Sequence, residues 1–358
     1  MKVLIIGCGI GGLSLARELT LRGSSATVLE RAPQLNPVGA GIIMNPNAMA
    51  VLERNGLADE VRRESWPYLT RETRDRAGRL LATRDYRPLY ESGKLARGAL
   101  VHRAHLLEVL YRSLPAGTVR FGVCVEKVER DGFDLVVGAD GIHSQVREQL
   151  FGASRRVYMG YRSHRMVVEN PGVRCFTEYL GRGQRVGLVP ISEQRLYVWT
   201  TFNAARDAAP VTDLAVFFAQ FTDATVRRVL EQPLENVITT EIEELWAADW
   251  VRGKAVLLGD AAHAMTPNIG QGAGMAMEDA AVLAEEVSRG DVESALNNYE
   301  NRRKPRVQTV MRISREVGYD GQRSSPLGCW LRNRRIAREA RDVARAQADL
   351  VRLLAFPG

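Results

Sequence analysis

Three short stretches hold residues whose types and spacing suit the binding of a phosphorylated cofactor. The first is Gly7-Cys8-Gly9-Ile10-Gly11-Gly12, which follows an aliphatic run and precedes a helical pattern; an acid, Glu30, stands 18 residues past Gly12. In such a strand–loop–helix unit Gly7 permits the tight turn, Gly9 lets a pyrophosphate approach the backbone, and Gly12 lets helix and strand pack closely. The helix start offers unpaired N–H groups and its positive dipole end to phosphate oxygens. Glu30 is placed to accept from ribose hydroxyls. A carboxylate there disfavours a 2′-phosphate, which selects FAD or NAD over NADP as the resident dinucleotide. Cys8 reads as a small residue tolerated beside glycines, not as a reactive thiol. The other two stretches are Gly138-Ala139-Asp140-Gly141-Ile142-His143-Ser144-Gln145-Val146-Arg147 and Gly259-Asp260-Ala261-Ala262-His263-Ala264-Met265-Thr266-Pro267, with Gly270-Gln271-Gly272 just beyond. An aspartate after a strand end, twice, each beside glycines, points to ligand contacts at the carboxyl edge of a sheet.

The elements that must position these residues are legible from periodicity. Residues 2–6 form a buried parallel strand, a helix runs from the glycine loop through Arg22, and Ala26 to Leu29 form the next strand. Residues 45–64 and 103–114 read as amphipathic helices, and Asp134 to Ala139 as another apolar strand. From about 155 to 250 short alternating runs, among them Arg185–Pro190 and Arg195–Phe202, predict antiparallel strands with one packed face, interrupted by a helix near 212–221. At Ala255–Leu258 the parallel-strand pattern returns, followed by a helix over about 272–289. Two further helices follow, broken near Ser325-Pro326. The expected fold is α/β: a Rossmann-like dinucleotide-binding domain in two parts (1–154 and 251–315), an inserted antiparallel-sheet substrate domain (155–250) and a C-terminal helical tail (316–358).

Composition bounds the rest. A 45% hydrophobic content suits a globular chain. No apolar run reaches the ~18 residues of a membrane span, so stable membrane insertion is not expected. The start has no export signal, which makes the cytoplasm the expected compartment. Cys8, Cys124, Cys175 and Cys329 lie far apart, without metal or disulfide spacing. The net charge of +7 gathers late, at Arg302, Arg303, Lys304, Arg306, Arg332, Arg334, Arg335 and Arg338. A solvated helix face explains this better than a nucleic-acid arm, and a basic surface also attracts anionic NAD(P)H or an acidic substrate. Monomer and homodimer both fit.

The three motifs, in this order, resemble the group A flavoprotein monooxygenases, the para-hydroxybenzoate and salicylate hydroxylase-like family. The resemblance runs from residue 1 to about 315 and includes Tyr299-Glu300-Asn301-Arg302-Arg303-Lys304-Pro305-Arg306. It implies that Asp260 binds the ribityl chain of FAD, that Pro267 and the loop Gly270 to Ala273, with Gly272, line the pyrimidine end of the flavin, and that Asp140 and Arg147 serve FAD and NAD(P)H together. By the same likeness Arg103 contacts FAD, the loop Gly39-Ala40-Gly41-Ile42 lies beside the ring, and Arg31 is a candidate for the adenine side. The segments 125–134 and 170–174 are shorter than the family's pattern.

The activity so implied is hydroxylation of an electron-rich aromatic or heteroaromatic ring by O2 through a C4a-hydroperoxyflavin, with NADPH or NADH as transient electron donor. A single GxGxxG fits a donor without its own domain. Candidates beside the substrate are His164, Arg165 and Tyr179, as a base or contact, and Met44, Phe176 and Trp199 as apolar walls. His263 reads as structural. Two alternatives stay open: a tailoring epoxidase or hydroxylase of a larger aromatic natural product, and an FAD-dependent dehydrogenase or reductase without oxygen transfer.

Overall fold

The computed structural model describes residues 1–35, 40–129, 131–152, 154–233 and 236–357. Its first layer is a mainly parallel sheet with strand order β15 (Val251–Arg252), β16 (Ala255–Leu257), β9 (Leu135–Gly138), β1 (Lys2–Ile6), β2 (Ser25–Glu30) and β8 (Val119–Phe121). All pairs are parallel except β15 with β16. The inner strands are short, aliphatic and buried on both faces, as a sheet covered by helices requires. The Ile10–Leu21 helix covers it and packs on the Gly272–Val287 helix.

The second layer is a sheet with order β14 (Ile238–Leu245), β10 (Arg156–Glu169), β13 (Arg195–Asn203), β12 (Gln184–Pro190), β11 (Phe176–Leu180), β5 (Thr70–Asp75) and β6 (Leu80–Asp85). It is not confined to 155–250: β5 and β6 come from the first part of the chain, and β5 pairs parallel with β11. One face buries Val186, Leu188, Val198 and Phe202 against Leu214 and Val226 from two short helices and Phe218 and Phe221 from the turn between them. A small sheet of β3 (Gly41–Met44), β7 (Ala99–His102) and β4 (Ser65–Pro67) lies between the layers. Its first strand crosses β13, where a Cβ on Gly41 would collide with the Tyr197 side chain.

Three helical expectations are corrected. The pattern over 45–64 is two helices, Pro46–Arg54 and Ala58–Arg63, because Gly56 turns the chain at φ +72. Near 212–221 only Leu214–Phe217 is helical; a second helix, Ala224–Leu230, starts where the Asp223 carboxylate accepts from the Thr225 and Val226 N–H groups. After the Gly272–Val287 helix come three helices, not two: Val292–Gly321, Pro326–Glu339 and Val343–Leu354, the last capped by Asp342.

Candidate active site

Parallel strands deliver their carboxyl ends to one edge, so the order β16–β9–β1–β2 sets Asp260, Asp140, the Gly7–Gly12 loop and Glu30 side by side. At ~4.8 Å per strand, this row spans roughly 15 Å. Three sequence motifs more than a hundred residues apart thereby line one edge.

The glycines divide by role. Gly7 has φ +109, and a Cβ there would strike Ala139 of the neighbouring loop; one on Gly12 would strike the Gly7 carbonyl. A Cβ on Gly9 would have nothing within 4 Å. The Ile10–Leu21 helix starts with no side-chain cap and no acid in its first turn, which leaves its N–H groups facing outward. Glu30 accepts from the Cys8 N–H at 2.9 Å and from the Ala32 N–H at 2.9 Å, so its carboxylate stands against the same loop. Arg31 is exposed beside it. The Gly272–Val287 helix also begins uncapped and without a first-turn acid. Before it, Gly270 takes φ +66, and its carbonyl accepts from Asn45 Nδ2 at 2.8 Å. Gly272 and Ala273 form the small-residue start of that helix, with Pro267 exposed on the approach.

Arg103, Asp260 and Arg165 come from three different elements and act electrostatically on one another. Arg103 and Asp260 are solvent-accessible yet walled by protein, the signature of a cleft and not of a convex surface. Burial raises the Asp260 carboxyl pKa, opposed by His263, Arg103 and Arg165. Burial lowers the Arg103 guanidinium pKa, opposed by Asp260 and reinforced by Arg165. Gly41 lies at the start of β3 beneath Tyr197; Gly39 falls outside the described residues.

Two of the proposed contacts are corrected to scaffold. Asp140 accepts from Ser144 Oγ at 2.5 Å, from the Gln145 N–H at 2.7 Å and from the Val146 N–H at 3.2 Å, so its carboxylate caps the Gln145–Phe151 helix. Arg147 is 2% exposed and donates to the Ala261 carbonyl at 2.9 Å and the Ile142 carbonyl at 2.8 Å. It ties the second motif to the third and acts through their geometry.

Among the substrate-side candidates the alternation of a strand decides. On β10, Arg165 pairs opposite Trp199, while His164 pairs opposite Thr200 on the other face. His164 is buried, its Nδ1 is 3.0 Å from Thr200 Oγ1 and its ring stacks on Phe202; burial holds its pKa at about 4. Tyr179 is buried on that same far face, and burial pushes its phenol pKa up. Neither reaches the cleft: a side chain one residue out of register points to the opposite side. Met44 is fully buried core, and Phe176 is buried with Arg71 stacked on its ring. Trp199 stays on the cleft side, over Gly187, where a Cβ would overlap the indole.

The face with Arg165 carries residues the sequence did not single out. Arg185 is buried and donates to Glu178 at 3.2 Å, to Asn268 Oδ1 at 2.5 Å, and to Thr201 and Gln322. Glu178 also pairs with Arg71 at 2.5 Å. Asn268 directly follows Pro267, so this network fastens the substrate-side sheet to the third motif. Its only sequence signal was that 178, 185, 199 and 165 share one face, which needs the strand register to be seen.

Below Asp260 sits a second buried network. Asp279 accepts from the Gly259 N–H at 3.1 Å, His263 Nε2 at 2.6 Å and Arg303 Nε at 2.7 Å, while Arg303 also reaches Glu278 at 2.6 Å. His263 is thus structural, as its place in the motif suggested, and Arg303 gives the late helix a role at the site.

These residues fit a flavin dinucleotide: open backbone at Gly9, two uncapped helix starts for its anionic ends, and an accessible acid and arginine deep between them. Residues 1–314 match the sequence profile of a family described as FAD binding domain. The chain is 33% identical to the 2-heptyl-3-hydroxy-4(1H)-quinolone synthase of Pseudomonas aeruginosa, over 93% of each chain. The chain belongs to this FAD-binding family. It is 34% identical to the aurachin C monooxygenase/isomerase of Stigmatella aurantiaca, again over 93% of each. The flavoprotein also superposes on the solved structure of Klebsiella pneumoniae HpxO complexed with FAD and uric acid, with a TM-score of 0.90, 28% identity, and coverage of 99% of this chain and 96% of that one. It is an FAD-dependent monooxygenase of the group that hydroxylates aromatic and heteroaromatic rings, with NAD(P)H as electron donor. No helix among the described residues is long and apolar enough to cross a membrane.

Proposed function

We propose that the enzyme hydroxylates an uncharged heteroaromatic ring of the 4-quinolone kind carrying an apolar substituent, in the cytoplasm, as a monomer or homodimer. The convergence of Asp260, Arg103 and Arg165 below the Trp199 face of the sheet carries this reading. The half-buried side chains packed around that face are apolar: Ile43, Val167 and Trp199. Its basic groups are largely answered by protein, since Arg71 and Arg185 share Glu178. That leaves Arg165 as the cation on offer there, with the Tyr197 phenol on the same face, which suits a ring with one carbonyl or hydroxyl better than a benzoate held by several cations. The name of the Pseudomonas relative points the same way.

FAD, when bound, accepts hydride from NAD(P)H and activates O2. Gly9 would leave room for its pyrophosphate in a loop that Gly7 and Gly12 allow to close, Glu30 and Arg31 would meet the adenosine end, and Asp260 and Arg103 would meet the chain between phosphate and ring. Pro267, Gly270, Gly272, Ala273 and Gly41 would hold the ring. The uncapped start of the Gly272–Val287 helix would favour an anionic group placed there. Arg165 orients the substrate oxygen and favours its anionic form, which enriches the ring in electrons. The sheet and its network exclude water. Overall, substrate, O2, NAD(P)H and a proton give hydroxylated substrate, water and NAD(P)+.

The test is NAD(P)H oxidation and O2 uptake with 2-alkyl-4-quinolones, phenols and hydroxybenzoates, together with product mass. Quinolone-stimulated, oxygen-coupled turnover with one added oxygen is expected. Stimulation by hydroxybenzoates alone would overturn the substrate class, and reduction without O2 uptake would overturn the oxygenase reading.

A further inference from the structure

The chain from Arg323 to Arg345 holds seven arginines and two acids, and its helix Pro326–Glu339 is two-sided. The inner side is fixed to the protein. Cys329 is buried against the Arg323 carbonyl, and Arg332 donates to the Gly181 carbonyl at 3.0 Å and the Gly321 carbonyl at 3.2 Å. The outer side is apolar where a surface helix should be polar. Leu327 is 66% exposed, Trp330 51% and Leu331 53%. Their i, i+3, i+4 spacing puts them on one stripe. Arg334 and Arg338 continue that stripe, both exposed, and the Arg334 guanidinium lies 4.8 Å from the Trp330 ring centroid. Arg335, beside them, pairs with Asp320. Tyr319, 60% exposed, ends the helix before, and Val343, 60% exposed, starts the one after.

We propose that this face docks the enzyme peripherally on an anionic lipid surface. A tryptophan and two leucines sink to the headgroup boundary while neighbouring arginines meet lipid phosphates. This differs from insertion, for which no helix among the described residues is long and apolar enough. Charge selects the occupant. A two-fold contact with a second copy would set this stripe against an equivalent one, with two arginines on each and no carboxylate on either to pair them. Nucleic acid would satisfy the arginines and leave the three apolar side chains in water. An anionic bilayer satisfies both, and the docking stands whether or not the quinolone reading does.

The test is flotation of the full-length, FAD-loaded protein with vesicles of phosphatidylcholine alone and of phosphatidylcholine with about a quarter phosphatidylglycerol, at low and high salt. Binding to the anionic vesicles only, weakened by salt, is expected. The pair Trp330→Ser and Leu331→Ser should lower the partition coefficient at least ~ten-fold, and each of Arg334→Gln and Arg338→Gln about five-fold. The flavin spectrum and melting temperature of each variant check that it folds. Absence of co-flotation, or binding that none of the variants weakens, overturns the proposal. So does a concentration-dependent dimer in light scattering that the Trp330 and Leu331 pair abolishes, or duplex DNA binding that the same pair leaves intact while vesicle binding is absent.

Discussion

Replacing Asp279 by asparagine tests whether a buried carboxylate holds the third motif in shape. Asp279 has no exposure and accepts from Gly259, His263 and Arg303. Burial pushes its pKa up, yet the charges of His263 and Arg303 and their hydrogen bonds bring it from the ordinary 3.8 down to about 2. That gap corresponds to about 2 kcal/mol of stability. The sign follows from proton uptake. Between pH 4 and 2 the unfolded chain binds the proton and the folded one resists it, so the contribution is full above about pH 4 and fades as pH falls through 2. Asparagine keeps one acceptor oxygen where three donors now converge, and it leaves Arg303 with Glu278 as its remaining buried acid. Breaking such a pair costs about 3–5 kcal/mol, and the lower end applies because Glu278 remains. Urea denaturation of the apoprotein at pH 7 should therefore show a loss of about 3 kcal/mol. Because Gly259 immediately precedes Asp260, FAD affinity should fall about ten-fold, read by flavin fluorescence titration. The variant should also lose part of the wild-type drop in stability between pH 4 and 2. A variant within ~0.5 kcal/mol of wild type at pH 7, with an unchanged acid limb, would refute the reasoning.

Other perturbations separate scaffold from site. Gly9→Ala, with open space around its Cβ, should leave apoprotein melting nearly unchanged and weaken FAD binding, whereas Gly12→Ala, which collides with the Gly7 carbonyl, should cost about 2 kcal/mol or more in apoprotein denaturation. Arg165→Met should retain FAD and lower kcat/KM at least ~ten-fold, about 1.4 kcal/mol, while Tyr179→Phe should change it less than two-fold; equal effects would place the wrong face at the substrate. His164, held at about 4 by burial, stays neutral in the fold while the unfolded chain protonates below about 6.5. Stability should thus fall between pH 6.5 and 4, and His164→Gln should flatten that segment of a denaturation-versus-pH curve. Burial raises the Cys8 thiol to about 12, so an aromatic disulfide reagent should titrate exposed Cys124 promptly in the native protein and reach Cys8 only on unfolding.

What the sequence by itself determined is the part of the site governed by local chemistry. Gly7, Gly9, Gly12, Glu30 and Asp260 are legible because a glycine loop between strand and helix, or an acid after a strand, has its meaning within a few residues. The parallel strands show for the same reason, as unbroken aliphatic runs. What only the tertiary structure decided depends on partners far along the chain. Strand Thr70–Asp75 reads Thr-Arg-Glu-Thr-Arg-Asp, with no apolar alternation, and becomes a strand because its backbone pairs with Phe176–Leu180 a hundred residues later. Glu178, Arg185 and Asn268 can be buried, with Arg71 half-buried beside them, because each supplies what another lacks, and no window of sequence contains that complementarity. That Arg165, and not His164, faces Arg103 and Asp260 rests on the phase of the strand. Alternation is visible in a strand, but its phase is set by what lies above and below it.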